Sequence, residues 1–357
     1  MHSVAPAGQV TMEELELAAR NHALPSEALR YPVTPVGLHY LLIHFDIPDI
    51  EPTSWRLSID GRARSPLSLS LEELQRRSAV TMPVTMECAG NGRARLQPRP
   101  ISQPWLTGAV GTAEWTGTPL GQLLEEAGLH DDAVEIVFTG HDRGIQGGVD
   151  QAYQRSLPVA EARRDEVLVA YAMNGAPLLP QHGAPARLIV PGWYGMTHVK
   201  WLERITAVPE PFDGYQQAIA YLFQADENDP GTPVTRIQPR SLTVPPGVPD
   251  FMSRTRHMDP GNCVLQGRAW SGVAPVTRVE VSADGGATWA DAVLGESQGR
   301  YAWTAWTFPW RPEPGRHVLS SRATDAAGNV QPVDQPWNLQ GMANTMVERI
   351  PVVVRPA

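Results

Sequence analysis

The sequence predicts an α+β domain followed by an immunoglobulin-like β-sandwich. Three observations carry that expectation. Prolines number 34 among 357 residues, about twice the usual frequency of roughly 5%. They are dispersed, and at this density they interrupt helices and ladders, which excludes a helical bundle or a coiled coil. Helix-start signals occupy the first part of the chain and vanish after residue 250, where short apolar runs are punctuated by turn residues. The length suits two domains at roughly 150 residues each. Asp226-Glu227-Asn228-Asp229-Pro230-Gly231 and Pro245-Pro246-Gly247-Val248-Pro249 mark the crossing. We therefore expect domains at 1–230 and 231–357.

Thr11-Met12-Glu13-Glu14 is a capping box, so a short helix is expected over Met12 to Arg20. Gly37 to Phe45 reads as an apolar strand, and Trp55, Leu57 and Ile59 alternate up to the break at Gly61. Ser70-Leu71-Glu72-Glu73 caps a second helix. Val80 to Met86 is strand-like, and Thr118-Pro119 opens a third helix that Gly128 ends. Ala133 to Phe138, Glu166 to Met173, Ala186 to Val190 and Val199 to Val208 read as strands. In the second region the strands are Val264 to Trp270, Val276 to Ser282, Tyr301 to Phe308, Val318 to Ala323 and Val347 to Val354. Asp284-Gly285-Gly286 is a tight-turn signal. Six of the eleven tryptophans lie from Trp270 onward, and most are expected between the sheets.

Composition excludes several functions. Hydrophobic residues make up 42% and charged residues 19%, so real cores can form. The net charge of −9 argues against nucleic acid as a partner. No apolar run approaches the roughly 18 residues that a membrane span needs. Met1-His2-Ser3-Val4-Ala5 shows no basic n-region and no apolar h-region, so a cytoplasmic location is expected, or a periplasmic one had a leader been removed. Two cysteines, Cys88 and Cys263, cannot build a four-thiolate zinc or iron–sulfur centre.

Cys88 is the sharpest chemical feature. It follows a strand-like run and sits in Glu87-Cys88-Ala89-Gly90-Asn91-Gly92-Arg93, where glycines allow close approach and Arg93 supplies a positive field. A thiolate is a strong soft metal ligand. A buried free cysteine is the plain alternative. Further polar groups sit in loops: Arg20-Asn21-His22, Gly140-His141-Asp142-Arg143-Gly144, Gln181-His182-Gly183 with Arg187, and His198 with Lys200. Cations at strand ends can hold an anion such as phosphate, though any one alone is commonly a solvated charge. None fits the Walker or Rossmann spacing.

Taken in order, Arg20-Asn21-His22, Cys88-Ala89-Gly90-Asn91, Asn174-Gly175, His182-Gly183-x-Pro185-x-Arg187, Val190-Pro191-Gly192, His198-Val199-Lys200-Trp201-Leu202, Asp284-Gly285-Gly286-x-Thr288-Trp289 and Trp337-Asn338-Leu339 resemble the sulfite oxidase family over nearly the whole chain. The resemblance implies a sulfite-oxidase-type molybdopterin-binding domain, then an immunoglobulin-like dimerisation domain, and hence a homodimer. It implies the molybdenum–molybdopterin cofactor, with Cys88 as the single protein ligand to the metal. Arg20, Asn21, His22, Asp142, His182, Arg187, His198 and Lys200 would hold the pterin and its phosphate. Tyr221, Arg93 and Trp105 would face the substrate, with Arg20 nearby. The implied reaction is oxygen-atom transfer that turns sulfite into sulfate, with electrons leaving to an external acceptor such as a cytochrome or oxygen.

Three departures bear on the substrate. The lysine that animal members carry before the pocket tryptophan is missing from Arg99-Pro100-Ile101-Ser102-Gln103-Pro104-Trp105. Gln340 stands where animal and plant members have arginine, and Gly92 where they carry a base. Weaker sulfite binding is expected. A related enzyme acting on another oxyanion or a sulfoxide, such as a sulfoxide or nitrate reductase, is the second reading. A non-catalytic dimer that binds through its sandwich is the third.

Overall fold

The computed structural model describes residues 4–5 and 9–356; Met1, His2 and Ser3, on which the leader reading partly rests, lie outside the described residues. Two five-stranded sheets build the first domain. One runs Ala176–Pro177, Leu168–Met173, Val110–Pro119, Val80–Glu87 in space, with Arg187–Ile189 also on the Leu168–Met173 strand, and is antiparallel. The other runs Leu67–Leu69, Leu57–Gly61, Leu202–Val208, Glu135–Gln146, Val149–Pro158. It is antiparallel except where Leu202–Val208 pairs parallel with Leu57–Gly61. The helix Leu120–Ala127 buries Leu120, Leu123, Leu124 and Ala127 against Leu57, Ile59 and Ile205. Gly128 ends it in the left-handed region at φ +64°, as the sequence indicates, while Pro119 occupies the cap one residue before the helix. Both capping boxes form, at Thr11 with Glu14 and at Ser70 with Glu73.

Two departures from the sequence reading have physical causes. Gly37 to Phe45 is no strand: Val36–Leu38 is a short 3-10 turn, and beyond it only Leu41 pairs, with His22. The run is apolar, yet its backbone polar groups are met by side chains instead of a ladder. Asn21 accepts from Ile43 N at 2.7 Å, Arg20 donates to Phe45 O at 2.9 Å and Lys200 to Leu42 O at 2.9 Å. Conversely, the strands Val110–Pro119 and Val149–Pro158 escape the sequence reading. The first is buried along nearly its whole length and carries Gly111, Ala113 and Gly117 among threonines, so it shows no apolar alternation. Gly111 is required there, because a Cβ would fall 2.5 Å from the His39 ring.

The second domain is a sandwich. A four-stranded antiparallel sheet of Arg240–Thr243, Cys263–Trp270, Thr304–Trp310 and Val293–Ser297 packs on a six-stranded sheet. That second sheet runs Val248–Pro249, Arg256–Met258, Ile350–Val354, Gly315–Asp325, Val276–Ser282 and Ala290–Asp291. Leu265, Val279, Val281, Trp306, Leu319 and Val352 fill the space between them. The expectation that most late tryptophans pack between the sheets holds for Trp306 and Trp310 alone. Trp270 and Trp303 turn toward the first domain, into a cluster with Leu24, Leu29, Tyr194, Tyr221 and Met342. Trp289 and Trp337 are half-buried.

The domains are locked by a buried polar network at the end of Val80–Glu87. Glu87 meets Arg240 at 2.7 Å, both almost wholly enclosed, and accepts from Trp270 Nε1 at 2.8 Å and Asn91 Nδ2 at 2.9 Å. The segment after Trp337 then wraps the Cys88 turn: Ala343 N donates to Ala89 O at 2.7 Å and Asn344 Nδ2 to Gly92 O at 2.7 Å. Removing one partner of such a pair leaves a charge uncompensated, so Arg240→Met is expected to cost about 3–5 kcal/mol in denaturant unfolding. The double variant with Glu87→Gln is expected to lose clearly less than the sum of the two single losses.

Candidate active site

A partly enclosed cleft opens beside Cys88. Seven of the residues singled out in the sequence line it: Cys88, Asp142, His182, Arg187, His198, Lys200 and Tyr221. Most come from strand ends and the loops beyond them, where a rigid sheet can aim side chains supplied by irregular chain, while Asp142 lies within Glu135–Gln146, where its pairing shifts between Thr139 and Arg143.

Cys88 follows the last residue of Val80–Glu87. Its N–H donates to Ala109 O at 2.9 Å and its carbonyl accepts from Asn91 N at 2.9 Å, closing a tight turn. Gly90 lets Arg93 fold back, since a Cβ at that position would fall 2.7–2.8 Å from the guanidinium. Gly92 adopts φ +87°, and a Cβ there would sit 2.8 Å from Asn344 O, so the turn itself excludes a side chain at this position. Burial pushes the Cys88 thiol up, while Arg93 and the Gly90 amide pull it partly back. Trp105 is buried in the same apolar cluster as Cys88, and its indole N–H has no hydrogen-bond partner.

Tyr221 sits at φ +61°, a conformation that costs a bulky residue energy and that here turns its ring to the cleft. Burial raises its phenol to about 12, so the hydroxyl keeps its proton at neutral pH. Arg93 is buried, and its Nε donates to Gln340 O at 2.9 Å.

The other end of the cleft gathers cations and imidazoles. Arg187 donates to His182 O and His198 O, each at 3.0 Å, and lies 4.9 Å from the centre of the Trp115 ring, but its Nε has no partner. Burial lowers it only to about 10, so it stays charged. Lys200 donates to Leu42 O at 2.9 Å and Gln181 O at 3.1 Å. Burial, then neighbouring cations, brings His182 down to about 3, so it is neutral. His198 is neutral for the same reason, and both its nitrogens are taken, Nδ1 by Val190 N and Nε2 by Trp193 O. It shapes the wall and has no free nitrogen for a ligand. A group of buried cations with an unpartnered guanidinium N–H and one carboxylate, Asp142, suits a large anionic ligand.

Arg20, Asn21 and His22 are placed differently. Asn21 is buried, and its side chain joins Leu17 O, Gln103 Oε1 and Ile43 N, so it pins the first helix. Arg20 and His22 are exposed beside the Leu41–Leu42 rim. The sequence reading missed His39, Tyr40, His44 and Tyr153, which also line the cleft. His39 is buried with an unpartnered Nε2, 5.9 Å from the His182 ring centre. No local signal marked these residues, because the run that holds three of them looked like a strand.

Asp142 is held at about 6, mainly because burial disfavours its charge, with Lys200 opposing. A carboxyl raised in the folded state gives stability at low pH that is lost as pH rises from about 4 through about 6. Cofactor-free Asp142→Asn is therefore expected to match the parent near pH 4 and to exceed it by about 2 kcal/mol at pH 7.5. Thermal unfolding at the two pH values measures this.

Comparison with known proteins agrees with this geometry. Residues 44–216 match the family described as "Oxidoreductase molybdopterin binding domain", and residues 240–355 match the "Mo-co oxidoreductase dimerisation domain". The mitochondrial sulfite oxidase of Homo sapiens is 34% identical over 343 residues, 91% of this chain and 62% of that protein. The sulfite oxidase of Gallus gallus is 35% identical, with 89% of this chain and 72% of that protein covered. An NADH nitrate reductase of Arabidopsis thaliana is 31% identical and matched over 38% of its length. This chain thus spans under two thirds of the human protein. Among solved structures, the sulfane dehydrogenase SoxCD from Paracoccus pantotrophus superposes with a TM-score of 0.80 at 26% identity, covering 99% of this chain and 94% of that one. By its two domains, its cleft and these relatives, the chain belongs to the sulfite oxidase family of molybdopterin-dependent oxidoreductases.

Proposed function

We propose that the protein oxidises sulfite to sulfate, taking the oxygen from water and releasing two electrons and two protons per turnover. The observation that carries this reading is the meeting of Cys88 and Tyr221 in one cleft with a buried cation group. Among the described residues no group of three or more histidine, cysteine or carboxylate side chains could hold a metal alone. A metal brought by an organic ligand and held by one thiolate fits that donor set. The unpartnered Arg187 Nε and His39 Nε2 are what a phosphate-bearing pterin would satisfy.

When bound, the molybdenum cofactor supplies the oxygen-transfer and two-electron chemistry. The protein's part is to hold and to polarise. Cys88 would ligate the metal, Arg187, Lys200 and His182 would hold the phosphate end, and Asp142 would accept from the pterin amino groups. Tyr221, protonated, would donate its O–H to an oxygen of the bound anion, and Arg93 would supply positive potential behind it. Electrons would leave to an external acceptor, such as a cytochrome or oxygen. We also infer a homodimer formed through residues 240–355, by the likeness to the dimerisation domain. A second reading, reduction of nitrate or a sulfoxide, is favoured by the neutral Gln340. No helix among the described residues is long and apolar enough to cross a membrane.

The loaded enzyme is expected to reduce ferricyanide when given sulfite, with about one molybdenum per chain. Cys88→Ser is expected to fold, to lose metal and to lose activity by at least about 100-fold. Full metal occupancy without sulfite activity, but with nitrate or sulfoxide reduction by a reduced viologen, supports the second reading. Light scattering is expected to give twice the 39.0 kDa chain mass; a monomer at micromolar concentration removes the dimer.

A further inference from the structure

We propose that Arg155 is a specificity-determining residue, a buried guanidinium that gives the Tyr221 end of the cleft its affinity for a small divalent oxyanion. The proposal rests on the reading that such an anion binds beside Tyr221, and it names where the missing positive charge comes from.

Arg155 is 1% exposed, in the middle of the strand Val149–Pro158. It stands two residues from Tyr153, which lines the cleft, and residues at that spacing share one face of a strand. Its guanidinium carbon lies 5.8 Å from the centre of the Tyr221 ring. One of its terminal nitrogens donates to Gln216 O, and its Nε has no partner. Arg240 has Glu87 at 2.7 Å, but Arg155 forms no ion pair among the described residues. Glu135 acts on it only from a distance and is itself engaged by Phe212 N at 3.0 Å.

A buried charge without a counter-charge is costly, and a fold seeking only stability would hold an apolar side chain there. Arg93 presents the same anomaly. It is buried, and its partners are two carbonyls, of Gln340 and Gln103, and the Met342 sulfur. Both guanidiniums act on the Tyr221 phenol. Two cations without a carboxylate partner, buried behind the cleft lining and acting on one cleft-lining phenol, are balanced when an anion arrives. The positions where related enzymes place bases cannot serve. Gly92 has no room for a side chain. Gln340 is neutral, and its side chain is used up on Ile219 O, Gln224 Oε1 and Leu222 N, bracing the segment that carries Tyr221. Arg155 is the cation in place to restore the field.

The test uses cofactor-loaded protein, with sulfate as probe and chloride at matched ionic strength as reference. Sulfate affinity is read from the sulfate-dependent rise in melting temperature. In Arg155→Met it is expected to fall about tenfold or more, with a similar rise in KM for sulfite and a much smaller change in kcat. Arg155→Lys is expected to recover part of the loss, which a purely structural role would not predict. Unchanged sulfate affinity in a folded Arg155→Met overturns the proposal. Should that variant not fold, Arg155→Gln, which keeps a donor for the Gln216 carbonyl, decides by the same criterion. Loaded wild-type protein that neither binds sulfate nor oxidises sulfite overturns the underlying reading as well. A wild type that does both, beside variants indistinguishable from it, overturns the role of Arg155 alone.

Discussion

The buried pair of Glu87 and Arg240 is the constraint on which the rest of the architecture depends. It joins the last residue of an edge strand of the first domain to the first strand of the sandwich, and the next residue along is the metal-ligand candidate Cys88. A carboxylate enclosed this deeply is tolerable only when its lone pairs are occupied, and Arg240, Trp270 and Asn91 occupy them. The Cys88 turn therefore takes its shape from both domains. The loop at 338–344 completes the enclosure, with Gln340 reaching the Tyr221 segment and Asn344 reaching Gly92. The domains are distinct as sheets, but they share the site.

Charge is distributed in the site with a consistent logic. Outside it, arginines meet carboxylates, as Arg322 meets Glu280 and Arg236 meets Glu161. In its lining and just behind it, Arg187, Arg155 and Arg93 meet carbonyl oxygens, sulfur and aromatic faces. Those partners orient a guanidinium without neutralising it. The histidines that line the cleft are held neutral mainly by burial, with neighbouring cations adding to it, whereas Arg187 keeps its charge. A chain with a net charge of −9 can thus keep a locally positive interior.

Much of this was legible in the sequence, for local reasons. Caps, the stop at Gly128 and most strands follow from short-range pattern, and the motif around Cys88 drew its partners together through resemblance. What was not legible depends on contacts between distant segments. Gly37 to Phe45 has a strand's composition, yet side chains from Asn21, Arg20 and Lys200 take its backbone groups. Val110–Pro119 has a loop's composition, but its small residues are what let His39 pack beside it. Trp270 looked like sandwich core until Glu87 supplied a partner for its indole. Arg155 carries no signal at all, since an arginine two residues from a tyrosine in a polar strand reads as surface.

The contact between Gly92 and Asn344 has a consequence for how such a pocket could change over time. Adding a base at position 92 would require a left-handed backbone to accept a side chain and the Asn344 carbonyl to withdraw. Asn344 also donates to Gly92 O, so the two segments would have to change together. A substitution that is simple in one lineage is closed to this one unless a second, in the other domain, comes first. The order of mutations, as much as their chemistry, then decides which charge arrangements descendants of this chain can reach.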